Sequence, residues 1–211
     1  MIRETRNFLN LLGLAKTLPV NNGVFTQKYD DGAIKIKGNV KDGKRSGIWV
    51  SYFLNGKMQS SGKYDKGKKH GRWTYYFEDG TIKQKEAYIE NVRTGHWVHY
   101  HNNGKVKLDG HFKDGRKEGL FVEYFQNGKI KKEQKYHQGK KTCPDIWFSD
   151  DGLMKFEGRM EQGNEHGKRT NYFDSGRVKS ESYFQNGNPT GIWFWYDEHK
   201  NIVRKKSYIS K

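Results

Sequence analysis

Hydrophobic and polar positions recur along the chain with a period of 24 residues. Apolar residues stand two positions after a recurring turn, at Ile34, Met58, Ile82, Val106, Ile130, Met154, Val178 and Ile202. Aromatic residues keep the same period on the other side of the turn, at Tyr52, Tyr76, Tyr100, Tyr124, Phe148, Tyr172 and Tyr196. A strict period of this length predicts one supersecondary unit copied many times, in which each copy buries its apolar surface mainly against its neighbours.

The turn sequences predict the type of unit. They are Asp31-Gly32, Asn55-Gly56, Asp79-Gly80, Asn103-Gly104, Asn127-Gly128, Asp151-Gly152, Ser175-Gly176 and Lys200-Asn201. Asn-Gly and Asp-Gly supply the positive φ angles of a two-residue type I′ turn, which is the strongest short-range signal for a β-hairpin. We therefore expect an all-β fold: an elongated, single-layer antiparallel sheet of about eight 24-residue hairpins with sixteen short strands.

The position of the turn also predicts which residues face each other. If residues 55 and 56 are the two central turn residues, Tyr52 pairs with Gln59 and Trp49 pairs with Gly62. Side chains alternate between the two faces of a strand, so the tryptophans and the Tyr52 column fall on opposite faces. We expect the tryptophan side to be the core, with Gly62 opposite Trp49 so that an indole can cover the bare glycine.

The opposite face combines the aromatic column with a column of lysines. The predicted cross-strand pairs are Tyr76 with Lys83, Tyr100 with Lys107, Tyr124 with Lys131, Phe148 with Lys155, and Tyr172 with Lys179. Aromatic side chains are typical anchors of protein interfaces, so these ten residues form the candidate partner-binding set. Tyrosines in such columns also serve as ordinary cross-strand packing, and that interpretation stays open.

The motif of one copy reads Asn55-Gly56-Lys57, followed by Gly62-x-Tyr64-x-x-Gly67-Lys68-x-x-Gly71-x-Trp73-x-x-Tyr76. This motif resembles the MORN repeat, in the bacterial form found in proteins labelled YwqK-type antitoxins, and the resemblance spans residues 23 to 208. It implies an array of antiparallel hairpins with no catalytic residue. It also implies a role in protein scaffolding, in binding acidic phospholipids or in neutralising a partner toxin.

Catalytic and metal-binding groups have weak support. Cys143, in Cys143-Pro144-Asp145, interrupts a glycine column where Gly-x-Trp is expected, which predicts a local irregularity and disfavours a nucleophile pair with His137. As the single cysteine it excludes an internal disulfide and favours a reducing compartment. His96, His99 and His101 lie close in sequence but lack a further ligand at a recognisable metal-site spacing. We expect no enzyme activity and no cofactor.

The residues before the repeat predict a separate element. Apolar residues fall at helical spacing after a possible Thr5 cap, at Phe8, Leu11, Leu12 and Ala15. Residues 1–22 are therefore predicted to form an amphipathic cap, leaving residues 23–211 as the array. A targeting peptide or a membrane-surface anchor is the alternative, although no convincing signal peptide is present. No run approaches the roughly 18 apolar residues of a membrane span, so we expect a cytoplasmic protein, with peripheral membrane attachment as the alternative.

Charge is distributed unevenly. The formal net charge is +16, yet residues 28–141 hold 26 Lys and Arg against 13 Asp and Glu, whereas residues 142–200 hold 7 against 10. The candidate anionic-surface residues are adjacent cations in the loops between hairpins: Lys44, Arg45, Lys68, Lys69, Arg116, Lys117, Lys140 and Lys141. An acidic phospholipid membrane suits them, and non-specific nucleic acid is the weaker alternative. Exposed lysines also keep sheet edges from pairing with other sheets, and that interpretation stays open.

Two classes of function remain. The favoured class is a non-enzymatic scaffold that binds a protein partner, with toxin neutralisation as its most specific version. The alternative is recruitment to an anionic surface, or service as a structural subunit of a larger assembly. Neither class involves a small-molecule substrate.

Overall fold

The computed structural model describes residues 21–208, and its regular structure is entirely β-strand. The strands are β1 (Gly23–Lys28), β2 (Ile34–Lys41), β3 (Lys44–Tyr52), β4 (Met58–Asp65), β5 (Lys68–Tyr76), β6 (Ile82–Ile89), β7 (Val92–Arg93), β8 (Gly95–Tyr100), β9 (Val106–Lys113), β10 (Arg116–Tyr124), β11 (Ile130–His137), β12 (Lys140–Phe148), β13 (Met154–Glu161), β14 (Asn164–Tyr172), β15 (Val178–Gln185), β16 (Asn188–Tyr196) and β17 (Ile202–Tyr208). The predicted all-β class is confirmed. Among the described residues there is no helix able to cross a membrane.

Contacts divide the chain into a unit that ends at Gly95 and a unit that begins at His96. In the first unit, each strand from β1 to β7 pairs antiparallel with the next. In the second unit, the same holds from β9 to β17. Within residues 21–208, seventeen strands replace the predicted sixteen because Thr94 separates β7 from β8 within one strand of the pattern. The predicted cap helix, from Phe8 to Ala15, lies outside the described residues.

Two kinds of turn alternate along each unit. The turn at Asn55-Gly56 has three residues, because the Phe53 amide donates to the Lys57 carbonyl at 2.9 Å and only Gly56 has a positive φ, of 79°. This is a type I turn with a glycine bulge, so the predicted type I′ turn is wrong at this position. The Asn55 side chain favours it by accepting the Lys57 amide at 3.0 Å.

The two-residue turns lie between β2 and β3 and at the equivalent positions. Asp42 and Gly43 have φ angles of 51° and 68°, and the flanking Lys41 and Lys44 pair directly. Two consecutive positive φ angles define the type I′ geometry. The Asn-Gly and Asp-Gly sequences, which are the strongest hairpin signal, therefore mark the three-residue turns. The tighter, two-residue turns lie at the other end of each strand.

The turn type changes the predicted register near the end of each strand. Trp49 pairs with Gly62, as predicted, but Tyr52 pairs with Met58 and not with Gln59. The three-residue turn shifts the pair next to it by one residue, and a bulge between Ser51 and Tyr52 restores the predicted register along the rest of the two strands. The error recurs in every later copy that has the same turn.

Indole rings fill the space that glycine leaves in the sheet. A Cβ atom added to Gly62 would lie 2.1 Å from a ring carbon of Trp73, and one added to Gly38 would lie 2.3 Å from Trp49. Each indole thus covers the glycine 11 residues before it, so an indole does cover Gly62, as predicted, but it is that of Trp73. The Trp73 side chain is only 4% exposed, and its Nε1 donates to the Lys63 carbonyl at 3.2 Å. Most of the core therefore lies on this side, the tryptophan face, which carries Trp49, Trp73 and Phe121.

The irregular copy replaces this packing with hydrogen bonds. Asp145 stands in the tryptophan column and is 4% exposed. Its Oδ1 accepts from Gln134 Nε2 at 2.9 Å and from Trp147 Nε1 at 2.7 Å, and Lys141 Nζ lies 3.5 Å from its Oδ2. Gln134 stands in the glycine column, so both members of the glycine and tryptophan pair have changed together. The predicted irregularity is also present as a cis peptide at Cys143-Pro144 within β12.

Candidate interaction surfaces

One face of each unit presents a column of aromatic rings, which we call the tyrosine face. Its aromatic residues are half-buried, and they are Tyr52, Tyr76, Tyr100, Tyr124, Phe148, Tyr172 and Tyr196. Small and β-branched residues such as Val50, Val122 and Thr170 lie beside them on the same face. Each described strand makes its extensive contacts with the strands next to it in the chain, so no second layer of the described residues covers this face.

Carboxylates form a second column on the tyrosine face of the second unit. They are Asp109, Glu133, Glu157 and Glu181, one per copy. Tyr172 Oη donates to Glu157 at 3.5 Å, and Tyr196 Oη donates to Glu181 at 3.2 Å. Lys168 Nζ lies 2.5 Å from Glu181. This column was missed at the sequence level, although its 24-residue spacing is readable in the sequence.

Burial and these carboxylates raise the pKa of the phenol groups of Tyr124, Tyr172 and Tyr196. Burial is the main cause that raises the pKa of Tyr124, and the charges of Asp109 and Glu133 raise it further. The pKa of Tyr172 is raised by burial and then by Glu157. A protonated hydroxyl that donates to a fixed carboxylate has a defined orientation. The exposed ring edges are therefore held in place before any partner binds.

The lysines predicted to face the tyrosines lie one position away. Tyr76 pairs with Ile82, Tyr124 with Ile130, Phe148 with Met154 and Tyr172 with Val178. The predicted pairs of these residues with Lys83, Lys131, Lys155 and Lys179 are therefore wrong, for the same reason as at Tyr52. For Lys107 the structure gives the pairing of its neighbour Leu108 in β9, which lies opposite Glu123 of β10.

The lysines contact a different set of aromatic rings. The ammonium groups of Lys83, Lys131 and Lys179 lie 5.7, 5.7 and 5.6 Å from the ring centroids of Phe77, Phe125 and Phe173. Lys155, at the same place in its copy, lies 2.5 Å from Asp174. Cation–π contacts at exposed sites contribute only about 0.5–1 kcal/mol, and Lys83, Lys131 and Lys179 are exposed and therefore accessible.

The cations of the tight-turn edge divide into two groups. Lys44, Lys68, Arg116 and Lys140 are exposed. Their neighbours point onto the tryptophan face, where the Arg45 guanidinium lies 4.4 Å from the Trp49 ring centroid and Lys69 Nζ lies 4.4 Å from that of Trp73. Lys117 lies 4.7 Å from the Phe121 ring, and Lys141 contacts Asp145. Half of the predicted anionic-surface residues therefore take part in core packing.

Other lysines connect successive turns. Lys57 Nζ donates to the Asp79 carbonyl and Lys105 Nζ to the Asn127 carbonyl, both at 2.7 Å. Asn103 Nδ2 donates to the Gln126 carbonyl at 2.8 Å. These side chains satisfy backbone acceptors of the next turn, so part of the lysine excess stabilises the array.

The histidines and the cysteine have separate surroundings. His96 Nε2 lies 3.0 Å from both carboxylate oxygens of Asp109, and His137 lies 2.9 Å from Glu118. Cys143 is exposed, and its thiol donates to the Met160 carbonyl at 3.4 Å. Within residues 21–208 there is no group of three or more His, Cys, Asp or Glu side chains placed to hold a metal ion.

Within residues 21–208, successive hairpins with an aromatic core on one face and no second layer on the other define a β-hairpin repeat scaffold. The family model described as MORN repeat variant matches residues 45–66, 69–90, 93–114, 117–138 and 165–186. These segments cover more than half of the 211 residues, so the chain belongs to this family of MORN repeat proteins. The region around Asp145, where the tryptophan packing is replaced, lies outside the matched segments. No curated protein matches the chain.

Proposed function

We propose that the chain is a non-enzymatic scaffold that binds a protein partner through the tyrosine face. The observation that carries the proposal is the column of half-buried aromatic rings on a sheet face that no second layer of the described residues covers. Tyrosine is enriched among the residues that dominate protein interfaces. A ring held by Oη, as at Tyr172 and Tyr196, loses little conformational freedom when a partner covers it.

The partner can be identified by capturing the tagged protein from its native cells at low and high salt. Tyr172→Ser should weaken capture of a stoichiometric protein partner that resists high salt. Phe173→Ser is the matched control, because it removes the adjacent ring, which contacts Lys179 and not the carboxylate column. If both variants capture the partner as wild type does, the tyrosine face is not the binding surface.

Toxin neutralisation is the most specific version of this proposal, and it would place the protein in the cytoplasm beside its target. Its support is the likeness of the repeat motif to the bacterial antitoxin form. The test is co-expression with the product of a neighbouring gene that arrests growth. Restored growth, lost with Tyr172→Ser, is expected. Growth arrest that persists with wild-type protein at equal expression would reject the antitoxin version and leave the scaffold proposal intact.

Recruitment to an anionic surface is the second candidate, supported by the exposed Lys44, Lys68, Arg116 and Lys140. Each basic residue near an anionic bilayer contributes about 1 kcal/mol. Changing all four to Glu should abolish sedimentation with phosphatidylserine vesicles at low salt. Lys57 and Lys105 already bond to turn carbonyls through their ammonium groups, so changing these two residues to Glu should matter less. Equal loss in both variants would indicate non-specific attraction.

A further inference from the structure

A groove in the second unit lies between the turns that follow β8 and β10. Its basic lining consists of Lys107 and Lys131 together with the imidazoles of His99 and His101, and Glu123 is the single carboxylate that lines it. Two lysine charges therefore face one carboxylate charge. The groove is suited to a ligand that brings additional carboxylates.

The apolar lining gives the groove a second property. Leu108, Tyr124 and Phe125 form its walls, and Lys131 Nζ lies 5.7 Å from the Phe125 ring centroid. An apolar wall between two cations favours a ligand with an apolar group between two acids. A bare inorganic anion would leave this surface exposed to water.

Hydrogen bonds between the two turns hold the groove in shape. His101 Nε2 lies 2.9 Å from the Tyr124 carbonyl, and because a carbonyl oxygen only accepts, this nitrogen carries the hydrogen. Asn103 and Lys105 bond to the Gln126 and Asn127 carbonyls. The walls are thus fixed to the backbone before a ligand arrives, which lowers the entropy lost on binding.

The two lysines at the groove are available to a ligand. Both are exposed, and neither forms an ion pair within the part of the chain that the structure describes. Lys155, the equivalent residue one copy after Lys131, already contacts Asp174 at 2.5 Å. The free pair is therefore Lys107 and Lys131, in neighbouring hairpins.

We propose that this groove binds an acidic segment of the protein partner, with one carboxylate on Lys107, one on Lys131 and an apolar side chain between them. The inference rests on the proposed function and names the chemistry that the partner supplies. Neighbouring hairpins are about 10 Å apart, since strands are spaced by about 4.8 Å. In a polyproline II segment, residues three apart lie on one side at roughly 9 Å. The expected segment therefore has acids three positions apart.

The probe is a fluorescein-labelled peptide with the repeated sequence Glu-Pro-Leu, and its counterpart carries Gln in place of Glu. Binding is measured by fluorescence anisotropy at two salt concentrations. Lys107→Glu with Lys131→Glu should weaken binding of the acidic peptide about tenfold or more. The matched control is Lys83→Glu with Lys179→Glu, which makes the same charge change at the same place in the repeat. The control should bind nearly as wild type does.

Three outcomes would overturn the proposal. Equal weakening by both double variants would mean non-specific attraction, and equal binding of the Gln peptide would mean that carboxylates are not recognised. Binding of phosphatidylserine vesicles that depends on Lys107 and Lys131, without peptide binding, would assign the groove to a membrane. Unchanged circular dichroism of the variants excludes unfolding. If a captured partner still binds the Lys107 and Lys131 variant but not Tyr172→Ser, the groove proposal fails while the proposed function stands.

Discussion

The packing of an indole on a glycine predicts that a methyl group added at this glycine destabilises the protein. Gly62→Ala would place a Cβ atom 2.1 Å from a ring carbon of Trp73. The ring is rigid, and its Nε1 is bonded to the Lys63 carbonyl, so it has no free end that can move aside. The alanine must therefore displace either the indole or the strand.

Two opposing effects set the size of the change. Alanine in place of glycine inside a strand is favourable by roughly 0.5–1 kcal/mol on its own. Overpacking a well-filled site costs about 1–3 kcal/mol. Because the overlap is severe, we expect Gly62→Ala to lower the free energy of unfolding by about 2 kcal/mol. In a Trp73→Leu background, the added Cβ has room, and the same change should be neutral or stabilise by up to about 1 kcal/mol.

The measurement is urea unfolding of wild type, both single variants and the double variant. The double-mutant cycle should give a coupling of about 2–3 kcal/mol. Gly56→Ala is the control, since its φ is 79° and no atom lies within 4 Å of an added Cβ. It should lose about 1 kcal/mol in both backgrounds, because only its backbone is strained. An equal loss for Gly62→Ala with and without the indole would refute the reasoning.

Two further predictions concern buried polar groups. Asp145→Ala should lower the free energy of unfolding by about 2 kcal/mol, because Gln134 and Trp147 lose their shared acceptor; urea midpoints measure this loss, and no change would mean that water replaces the carboxylate. Burial, and secondarily Glu86, raises the pKa of Tyr75 to about 12 from 10.0. Because the unfolded phenol ionises first, stability should fall as pH rises from about 10 to about 12, and Tyr75→Phe should flatten that fall in urea midpoints. An unaltered slope would contradict the assignment to Tyr75.

The 24-residue period was sufficient to predict the hairpins of the fold. Asn55-Gly56 marks a hairpin in either turn type, because both require glycine at a positive φ. The choice between them depends on the Asn55 side chain accepting the Lys57 amide, a contact that a turn motif does not specify. That one residue of turn length moved the predicted partners of Tyr76, Tyr124, Phe148 and Tyr172. Periodicity therefore predicts the elements, and local hydrogen bonds decide the partners.

The site was less predictable because it depends on neighbouring copies. Each indole covers the glycine of the preceding strand, as Trp73 covers Gly62. The carboxylate column was hidden because earlier copies place Lys37, Ser61 and Lys85 at the same position. Because the residue type in this column changes from basic or neutral to acidic halfway along the chain, the column is not recognised as a repeated feature of the sequence. The groove at Lys107 and Lys131 is formed by the turns of two neighbouring copies, so the sequence of a single copy does not predict it.

The tight turns have a consequence for how such a chain can change in length. The amides of Gly67, Gly139 and Gly187 donate to the carbonyls of Arg45, Lys117 and Glu165, each 22 residues earlier. These bonds join backbone to backbone, so they form whatever side chains the copies carry. A gene duplication of one whole 24-residue copy would therefore insert a hairpin that finds ready acceptors on one side and offers them on the other. Evolution can extend the array by whole copies while each copy diversifies its surface independently.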